Sequence, residues 1–285
     1  MAADPSAIET LDETLVDLAR EDVIWHRVGH LLDDEDPTLA TTRAFNLVEF
    51  VGEDPEELDT KVRGLCQSLD AHRGEPDYPT PAHVKEAAKR ALDANLTGYT
   101  PNDGVPELKR AIASKFKREN NLDYELEEVL VSPGAKFSLY LATMALVDRG
   151  EEVILPAPYW VSYPEQIRLA GGVPVVVNTR EEDGFRLTPQ RLRAAITFNT
   201  KAIILNYPSN PAGATYTRDE LAELGEVCKQ AGIWIIADEI YEKLSYDGHT
   251  HVSVAALAPE LEKRTIVVNG MSKAYSMTGW RIGYA

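Results

Sequence analysis

The chain has 285 residues, of which 44% are hydrophobic and 26% are charged, and its formal net charge at pH 7 is −17. This composition is typical of a soluble globular protein with a large core, and no apolar run approaches the roughly 20 residues that a membrane-spanning helix needs. The acidic balance argues against nucleic acid or an anionic membrane as a partner. The N-terminus shows no basic and apolar leader, and Cys66 and Cys228 form no ligand-spaced pair, so we expect a cytoplasmic protein with two reduced thiols.

Residues 1–73 hold most of the excess negative charge, with 18 acidic against 6 basic side chains. Apolar residues at helical spacing predict helices in this segment, over 6–22, 42–51 and 56–69. His26 and His30 have the spacing of two metal ligands on one helix face, but no third ligand is evident, so we expect no metal site. We therefore predict a helical, acidic N-terminal segment of unclear role.

From residue 74 onwards, strand and helix patterns alternate. Short β-branched or apolar runs predict strands over 128–131, 153–156, 173–178, 201–205, 233–238 and 265–268. Amphipathic patterns predict helices over 82–94, 106–118, 137–147, 189–195 and 218–231. This alternation predicts an α/β fold with a mostly parallel sheet flanked by helices, and ligands bind such sheets beyond the carboxyl ends of the strands. Asn269-Gly270 is predicted to form a turn after the last strand.

Five loops in this region contain residues suited to ligand contact, and in chain order they are Gly74–Pro81, Gly98–Leu108, Ser132–Lys136, Pro158–Pro164 and Asn206–Gly213. The third is a small-residue turn from a strand into a helix. Unpaired N–H groups at the start of a helix bind phosphate because they lie at the positive end of the helix dipole. Taken alone, the other four indicate only turns and half-buried aromatic residues.

Two charged residues near strand ends each have an ordinary and a chemical interpretation. Asp238 ends an apolar strand, where a carboxylate costs several kcal/mol unless it has a partner; the ordinary alternative is an exposed aspartate at the strand end that caps a helix. Lys273 follows the last strand and is either a solvated surface lysine or a partly desolvated amine that can form a Schiff base. Arg281, eight residues later, offers a planar fork that suits phosphate oxygens.

The segment Ser272–Tyr284, SKAYSMTGWRIGY, closely resembles the lysine segment of class I/II aminotransferases, the fold type I enzymes that use pyridoxal 5'-phosphate. The five loops above are similar to other motifs of this family and occur in its order, so the resemblance covers residues 74–285 nearly continuously. It implies the large domain of an aspartate aminotransferase-like enzyme. One loop departs from the usual NPxNPTG pattern, because Tyr207 lies between Asn206 and Pro208, and Ala212 replaces the common threonine.

The resemblance also implies roles for individual residues. Lys273 would bind the cofactor as a Schiff base and act as general base, while Asp238 would pair with the ring nitrogen and Trp160 would stack on the ring. The remaining cofactor contacts would be made by Tyr241 and Asn210 at the phenolic oxygen, and by Gly134, Ala135, Lys136 and Arg281 at the phosphate. A tyrosine at the place of Tyr99 reaches the phosphate of a neighbouring subunit, which implies a homodimer with shared sites. Substrate would be contacted by Gly74 and Asn210.

The implied reaction moves an amino group from an L-amino acid to a 2-oxo acid. A lyase or synthase on the same scaffold would show the same lysine, aspartate, tyrosine and arginine, so that alternative stays open. So do a non-catalytic relative, a cofactor-free interaction protein and a regulator with an N-terminal DNA-binding segment. The chain ends four residues after Arg281, where family members continue through a small domain that supplies the arginine for the substrate α-carboxylate. The amino donor and the activity of this chain are therefore left open.

Overall fold

The computed structural model describes residues 7–12, 44–49 and 78–285, and the chain divides into two compact units, Met1–Pro76 and Asp77–Ala285. In the first unit, strands β1 (Ala7–Asp12) and β2 (Ala44–Glu49) pair in antiparallel fashion. The helices predicted over 6–22 and 42–51 are therefore wrong in these two segments. Six residues with helical spacing also form a strand when a distant segment supplies the hydrogen-bonding partner, and local periodicity does not reveal that partner.

Three N-terminal predictions fall on residues for which the structure gives no description. They are the helix over 56–69, the His26 and His30 pair, and the substrate-contacting Gly74, all of which lie outside the described residues. The second unit begins three residues after Gly74.

Within residues 78–285, a seven-stranded sheet has the order β3-β9-β8-β7-β6-β4-β5. Its strands are β3 (Val131–Ser132), β4 (Glu152–Ala157), β5 (Val173–Asn178), β6 (Thr200–Asn206), β7 (Trp234–Asp238), β8 (Thr265–Gly270) and β9 (Gly283–Tyr284). Strands β5, β4, β6, β7 and β8 run parallel to one another, and β9 pairs in antiparallel fashion with both β8 and β3. The prediction of a mostly parallel α/β sheet is confirmed.

The helices of the second unit connect and flank these strands. They are α1 (Ala82–Asp93), α2 (Pro106–Lys115), α3 (Ala135–Leu146), α4 (Ser162–Leu169), α5 (Pro189–Ala195), α6 (Arg218–Ala231) and α7 (Pro259–Glu262). Helix α2 ends earlier than predicted because the chain continues as one π-helical turn, Phe116–Asn120. In the described part of the chain, no helix combines the length and the apolar composition needed to cross a bilayer.

The predicted turn at Asn269-Gly270 is wrong, because β8 continues through both residues. Asn269 lies opposite Tyr284 and Gly270 opposite Gly283 in the antiparallel pair with β9. A Cβ at Gly270 would lie 2.9 Å from the Ile282 carbonyl oxygen. The glycine therefore permits the close approach of the two strands, a constraint that is not visible in the local Asn-Gly pattern.

The sheet separates two apolar layers, since successive side chains of a strand point to opposite faces. One face packs against α5 and α6 and includes Ile154, Ile203, Leu205, Ile235 and Ala237. The other packs against α3 and α4 and includes Val153, Leu155, Ala202, Ile204, Ile236 and Val268. The central strands β4, β6 and β7 are thus buried on both faces. The polar side chains described next converge at the carboxyl edge of the sheet.

Candidate active site

Three neighbouring strands place the central residues of the site. Asn206 at the end of β6 lies opposite Asp238 at the end of β7, and Asp238 in turn lies opposite Val268 of β8. Because these strands are parallel, the segments that follow them all begin at the same edge of the sheet. Those segments contain Asn210 after β6, Tyr241 after β7 and Lys273 after β8, so sequence regions more than 60 residues apart meet at this edge.

Asp238 is almost completely buried and is held by two hydrogen bonds. The Tyr163 hydroxyl donates to Asp238 Oδ2 at 2.7 Å, and the Ile240 N–H donates to Oδ1 at 3.2 Å. Burial raises the pKa of Asp238 to about 6, and the nearby Glu239 acts in the same direction, while the two hydrogen bonds oppose this rise. A cation that enters the site would stabilise the ionised form of Asp238.

Tyr241, Asn210 and Lys273 lie together beside Asp238. Burial raises the pKa of the Tyr241 phenol to about 12, and a hydrogen bond from the Asn210 side chain opposes the rise. The Lys273 Nζ lies 5.6 Å from the centroid of the Tyr241 ring, within range of a cation–π contact. The Asn210 backbone N–H donates to Asn206 Oδ1 at 2.7 Å, which ties the Asn210 loop to the end of β6. The phenol, the amide and the amine are therefore brought to one place.

The turn before α3 meets the Arg281 side chain. Gly134 has a φ of 90°, and a Cβ at this position would collide with the Arg281 guanidinium, so only glycine lets the two approach so closely. Arg281 Nη1 donates to the Thr278 carbonyl at 2.8 Å. Ala135 and Lys136 form the first turn of α3, whose unpaired N–H groups carry partial positive charge. An anion bound here could accept hydrogen bonds both from backbone N–H groups of the turn and from the Arg281 guanidinium.

Trp160 and Tyr163 form an aromatic pair next to Asp238. Trp160 is half-buried, and its ring packs edge-on against Tyr163 at 5.4 Å between centroids. The Lys136 Nζ lies over the Trp160 ring, 4.9 Å from its centroid. Of the residues predicted for the site, Gly134, Ala135, Lys136, Trp160, Asn210, Asp238, Tyr241, Lys273 and Arg281 fall at this sheet edge or on the turns beside it. Tyr99 does not join them, because its side chain is fully exposed to solvent.

Sequence reasoning missed two polar residues of the site. Tyr163 follows Trp160 by three positions, but nothing in the local pattern indicates that its hydroxyl meets a carboxylate 75 residues away. Asn269 is buried, its Oδ1 accepts from the Gly270 N–H at 2.7 Å, and its Nδ2 has no hydrogen-bond partner within the described residues. The interpretation of Asn269 as a turn residue concealed its position at the end of β8.

The chain matches the family model for aminotransferases of class I and II over residues 69–285. It is 56% identical over 212 residues to an aspartate aminotransferase of Geobacillus stearothermophilus, covering 74% of this chain and 54% of that protein. It is 55% identical over 213 residues to an aspartate/prephenate aminotransferase of Cereibacter sphaeroides, with 74% and 53% covered. The crystal structure of an aspartate aminotransferase from Rhizobium meliloti superposes with a TM-score of 0.74 at 46% identity, covering 82% of this chain and 60% of that one. The chain thus spans about half the length of the curated relatives it matches.

Proposed function

Since the chain belongs to the class I and II aminotransferase family, we propose that it transfers the amino group of an L-amino acid to a 2-oxo acid, with pyridoxal 5'-phosphate bound at Lys273. The observation that carries this proposal is the convergence of Lys273, Tyr241 and Asp238 at one edge of the sheet. The names of the relatives reported above include aspartate, so we propose L-aspartate as the amino donor for the first assays.

The residues present fit this cofactor. The buried Asp238 carboxylate suits a protonated ring nitrogen, because a positive partner would offset its cost of burial. The turn at Gly134 leaves space that a Cβ would fill, and the α3 N-terminus with Arg281 suits a phosphate group. Trp160 offers a flat face, and Asn210 with Tyr241 offers two donors for a phenolic oxygen.

Each residue then has a task in the transfer. Pyridoxal phosphate, when bound, supplies an aldehyde that condenses with amines and a ring that withdraws electrons from the adjacent carbon. Asp238 holds negative charge at the ring-nitrogen side, and the Tyr163 hydroxyl keeps its carboxylate oriented. Once the substrate amine has taken its place on the cofactor, Lys273 Nζ, as a neutral amine, would accept a proton from the substrate α-carbon and deliver it to the cofactor carbon, which is general acid–base catalysis by one group.

We propose further that two copies of the chain form a dimer in which Tyr99 contributes to the site of the partner. Support comes from its complete exposure, since a tyrosine with no packing role in its own unit is free to contact another chain. Leu92 and Leu96, seven and three positions before Tyr99 in the chain, are exposed as well, so this segment adds apolar surface of the kind that subunits cover.

The test is to add pyridoxal 5'-phosphate to the purified chain, reduce with borohydride and map the labelled peptide. We expect one adduct, on Lys273, that is absent in Lys273→Ala and retained in Lys263→Ala, an exposed lysine that serves as control. Incubation with L-aspartate and a 2-oxo acid should then form a new amino acid and oxaloacetate. Labelling scattered over surface lysines would overturn the proposal that the cofactor binds at Lys273. An adduct at Lys273 that yields lyase products but no amino transfer would overturn the proposed transfer reaction.

A further inference from the structure

A buried ion-pair cluster is built on Glu242, the residue that follows Tyr241 in the chain. Lys115 Nζ contacts Glu242 Oε1, and Asn120 Nδ2 donates to Glu242 Oε2 at 2.8 Å. Lys115 Nζ also donates to Asn120 Oδ1 at 2.7 Å, so the three side chains form a closed triangle. The side chains of Lys115 and Glu242 are only 11% and 5% exposed, which makes this a desolvated pair and not one of the solvated surface pairs of the chain.

The π-helical turn after α2 makes this triangle possible. In an α-helix, residues five positions apart lie about 140° apart around the axis, so Lys115 and Asn120 would point in different directions. Hydrogen bonding from residue i to i+5 widens the turn and brings such a pair towards one face. The turn spans Phe116–Asn120 and ends at Asn121, which has a left-handed φ of 56°. Single π-turns are unfavourable and occur frequently at functional sites.

Glu242 belongs to the tight turn that holds Tyr241. The Glu242 N–H donates to the Glu239 carbonyl at 2.9 Å, and the Leu244 N–H donates to the Tyr241 carbonyl at 2.8 Å. Glu239, at the start of the turn, is fully buried and accepts from the Tyr207 hydroxyl at 2.9 Å and the Ser253 hydroxyl at 2.7 Å. The turn is therefore anchored on both sides of Tyr241 by buried carboxylates.

Lys115 places a positive charge next to one of two neighbouring buried carboxylates. Carboxylate oxygens of Glu239 and Glu242 lie within 4.8 Å of one another, and two buried negative charges at such a distance repel strongly. The ammonium of Lys115 offsets this repulsion on the Glu242 side. Lys243 also lies 3.9 Å from Glu242, but it is 44% exposed and pairs with Glu119 at 2.7 Å, so it supplies less of the compensating charge.

We propose that Lys115, Asn120 and Glu242 are positioning residues that fix the Tyr241 phenol in the site, and that the π-turn exists to bring the first two onto Glu242. The inference rests on the proposed function, because the task of Tyr241 is to contact the cofactor. Removing the charge of Lys115 should loosen the turn 239–244 and displace the phenol, whereas the fold elsewhere should stay intact.

The experiment compares four variants of the whole chain. Lys115→Met removes the charge, Lys115→Arg keeps it, and the double variant Lys115→Met/Glu242→Leu replaces both partners by apolar groups. Lys117→Met is the matched control, because Lys117 lies two residues after Lys115, in the π-turn, but forms an exposed pair with Asp123. The first measurement is hydrogen exchange of the Glu242 and Leu244 amides without cofactor, and the second is the absorption spectrum and dissociation constant of pyridoxal 5'-phosphate.

We expect exchange of both amides to accelerate about tenfold in Lys115→Met, to stay near the original rate in Lys115→Arg and to be unchanged in Lys117→Met. The double variant should recover part of the lost unfolding midpoint, since no buried charge is left unpaired while Asn120 loses both of its partners. It should still show an altered cofactor spectrum and about tenfold weaker cofactor binding. This combination of results would distinguish a role of the cluster in positioning Tyr241 from a role in the stability of the fold. A double variant with a normal spectrum and normal affinity would overturn the proposal, as would unchanged exchange in Lys115→Met.

The two proposals fail in different ways. If the unaltered chain forms no adduct at Lys273, the proposed function fails, while the exchange measurements without cofactor still decide whether the Lys115 cluster holds the turn. If the adduct forms with equal affinity in all four variants, the function stands and the positioning role is overturned.

Discussion

The Tyr163 hydroxyl donates a hydrogen bond to Asp238 Oδ2 at 2.7 Å, and both side chains are almost completely buried. Because burial alone would push the Asp238 carboxyl towards its neutral form, this bond and the one from the Ile240 N–H favour the ionised form in the absence of a cation. Helix α4 and strand β7 are thereby coupled at the one point where the proposed function needs a negative charge.

The first prediction concerns Tyr163→Phe. The ring keeps its packing against Trp160, but Asp238 loses its shortest hydrogen bond, so its pKa should rise above the value of about 6. A hydrogen bond to a charged group contributes about 1.5–3 kcal/mol, which predicts at least a tenfold weaker binding of pyridoxal 5'-phosphate. Absorbance titration measures this affinity, and Tyr140→Phe, on the neighbouring helix α3, is the control. Equal affinities in the two variants would contradict the prediction.

A second prediction concerns the stability of Asp238→Asn without cofactor. A pKa near 6 in the folded chain, against an ordinary value of 3.8, corresponds to about 3 kcal/mol of lost stability once the carboxyl is ionised. The folded state binds more protons than the unfolded state between these two values, so this loss develops as the pH rises from about 4 to about 6 and persists above. Asparagine carries no charge and can still bond Tyr163, because a hydroxyl both donates and accepts.

We therefore expect Asp238→Asn to be more stable than the original chain at pH 7.5, by up to about 3 kcal/mol, and equally stable near pH 4. Urea unfolding at both pH values measures the difference. Asp93→Asn, at the exposed end of α1, should leave the free energy of unfolding unchanged at both. A variant that is less stable than the original chain at pH 7.5 would falsify the assignment of Asp238 as an electrostatically costly residue.

The third prediction separates backbone strain from collision at Gly134. Gly134→Ala places a Cβ against the Arg281 guanidinium in a backbone conformation with φ of 90°. Gly248→Ala shares the unfavourable backbone, with φ of 77°, but its Cβ meets open space. Both should lose about 1–2 kcal/mol of stability, and Gly134→Ala alone should also bind pyridoxal 5'-phosphate at least tenfold more weakly. Similar cofactor affinities in the two variants would mean that Arg281 and this turn do not form the anion site.

The elements that sequence reasoning predicted best are those with local signals at both ends. Helix α6 has the predicted bounds because Thr217 and Glu220 form a capping box at its start, and Gly232, with φ of 69°, ends it. Helix α5 likewise begins at Pro189 after the capping Thr188. The buried parallel strands could also be predicted from the sequence, since each is a continuous apolar run between turns.

The features that were missed depend on partners far along the chain. The π-turn is set by Glu242, which lies 122 positions from Asn120, and the orientation of Asp238 is set by Tyr163. Strand β8 extends through Asn269 and Gly270 because β9 pairs with them, and no local pattern contains that information. The residues that meet at the carboxyl edge of the sheet were thus predictable from the family resemblance, apart from Gly74 and Tyr99, whereas the side chains that hold them in place became visible only in three dimensions.

The last prediction tests whether Tyr99 acts in a second copy of the chain. Its side chain is fully exposed, so Tyr99→Phe should leave the free energy of unfolding of the single chain unchanged, within about 0.5 kcal/mol. If its hydroxyl bonds the cofactor phosphate in the partner's site, the variant should bind pyridoxal 5'-phosphate about tenfold more weakly. The affinity of the original chain should also fall on dilution below the dimer dissociation constant, which sedimentation at the same concentrations measures. Tyr246→Phe, another exposed tyrosine, is the control and should change neither quantity. Cofactor affinity that is independent of chain concentration and insensitive to Tyr99→Phe would show that each chain binds its cofactor alone.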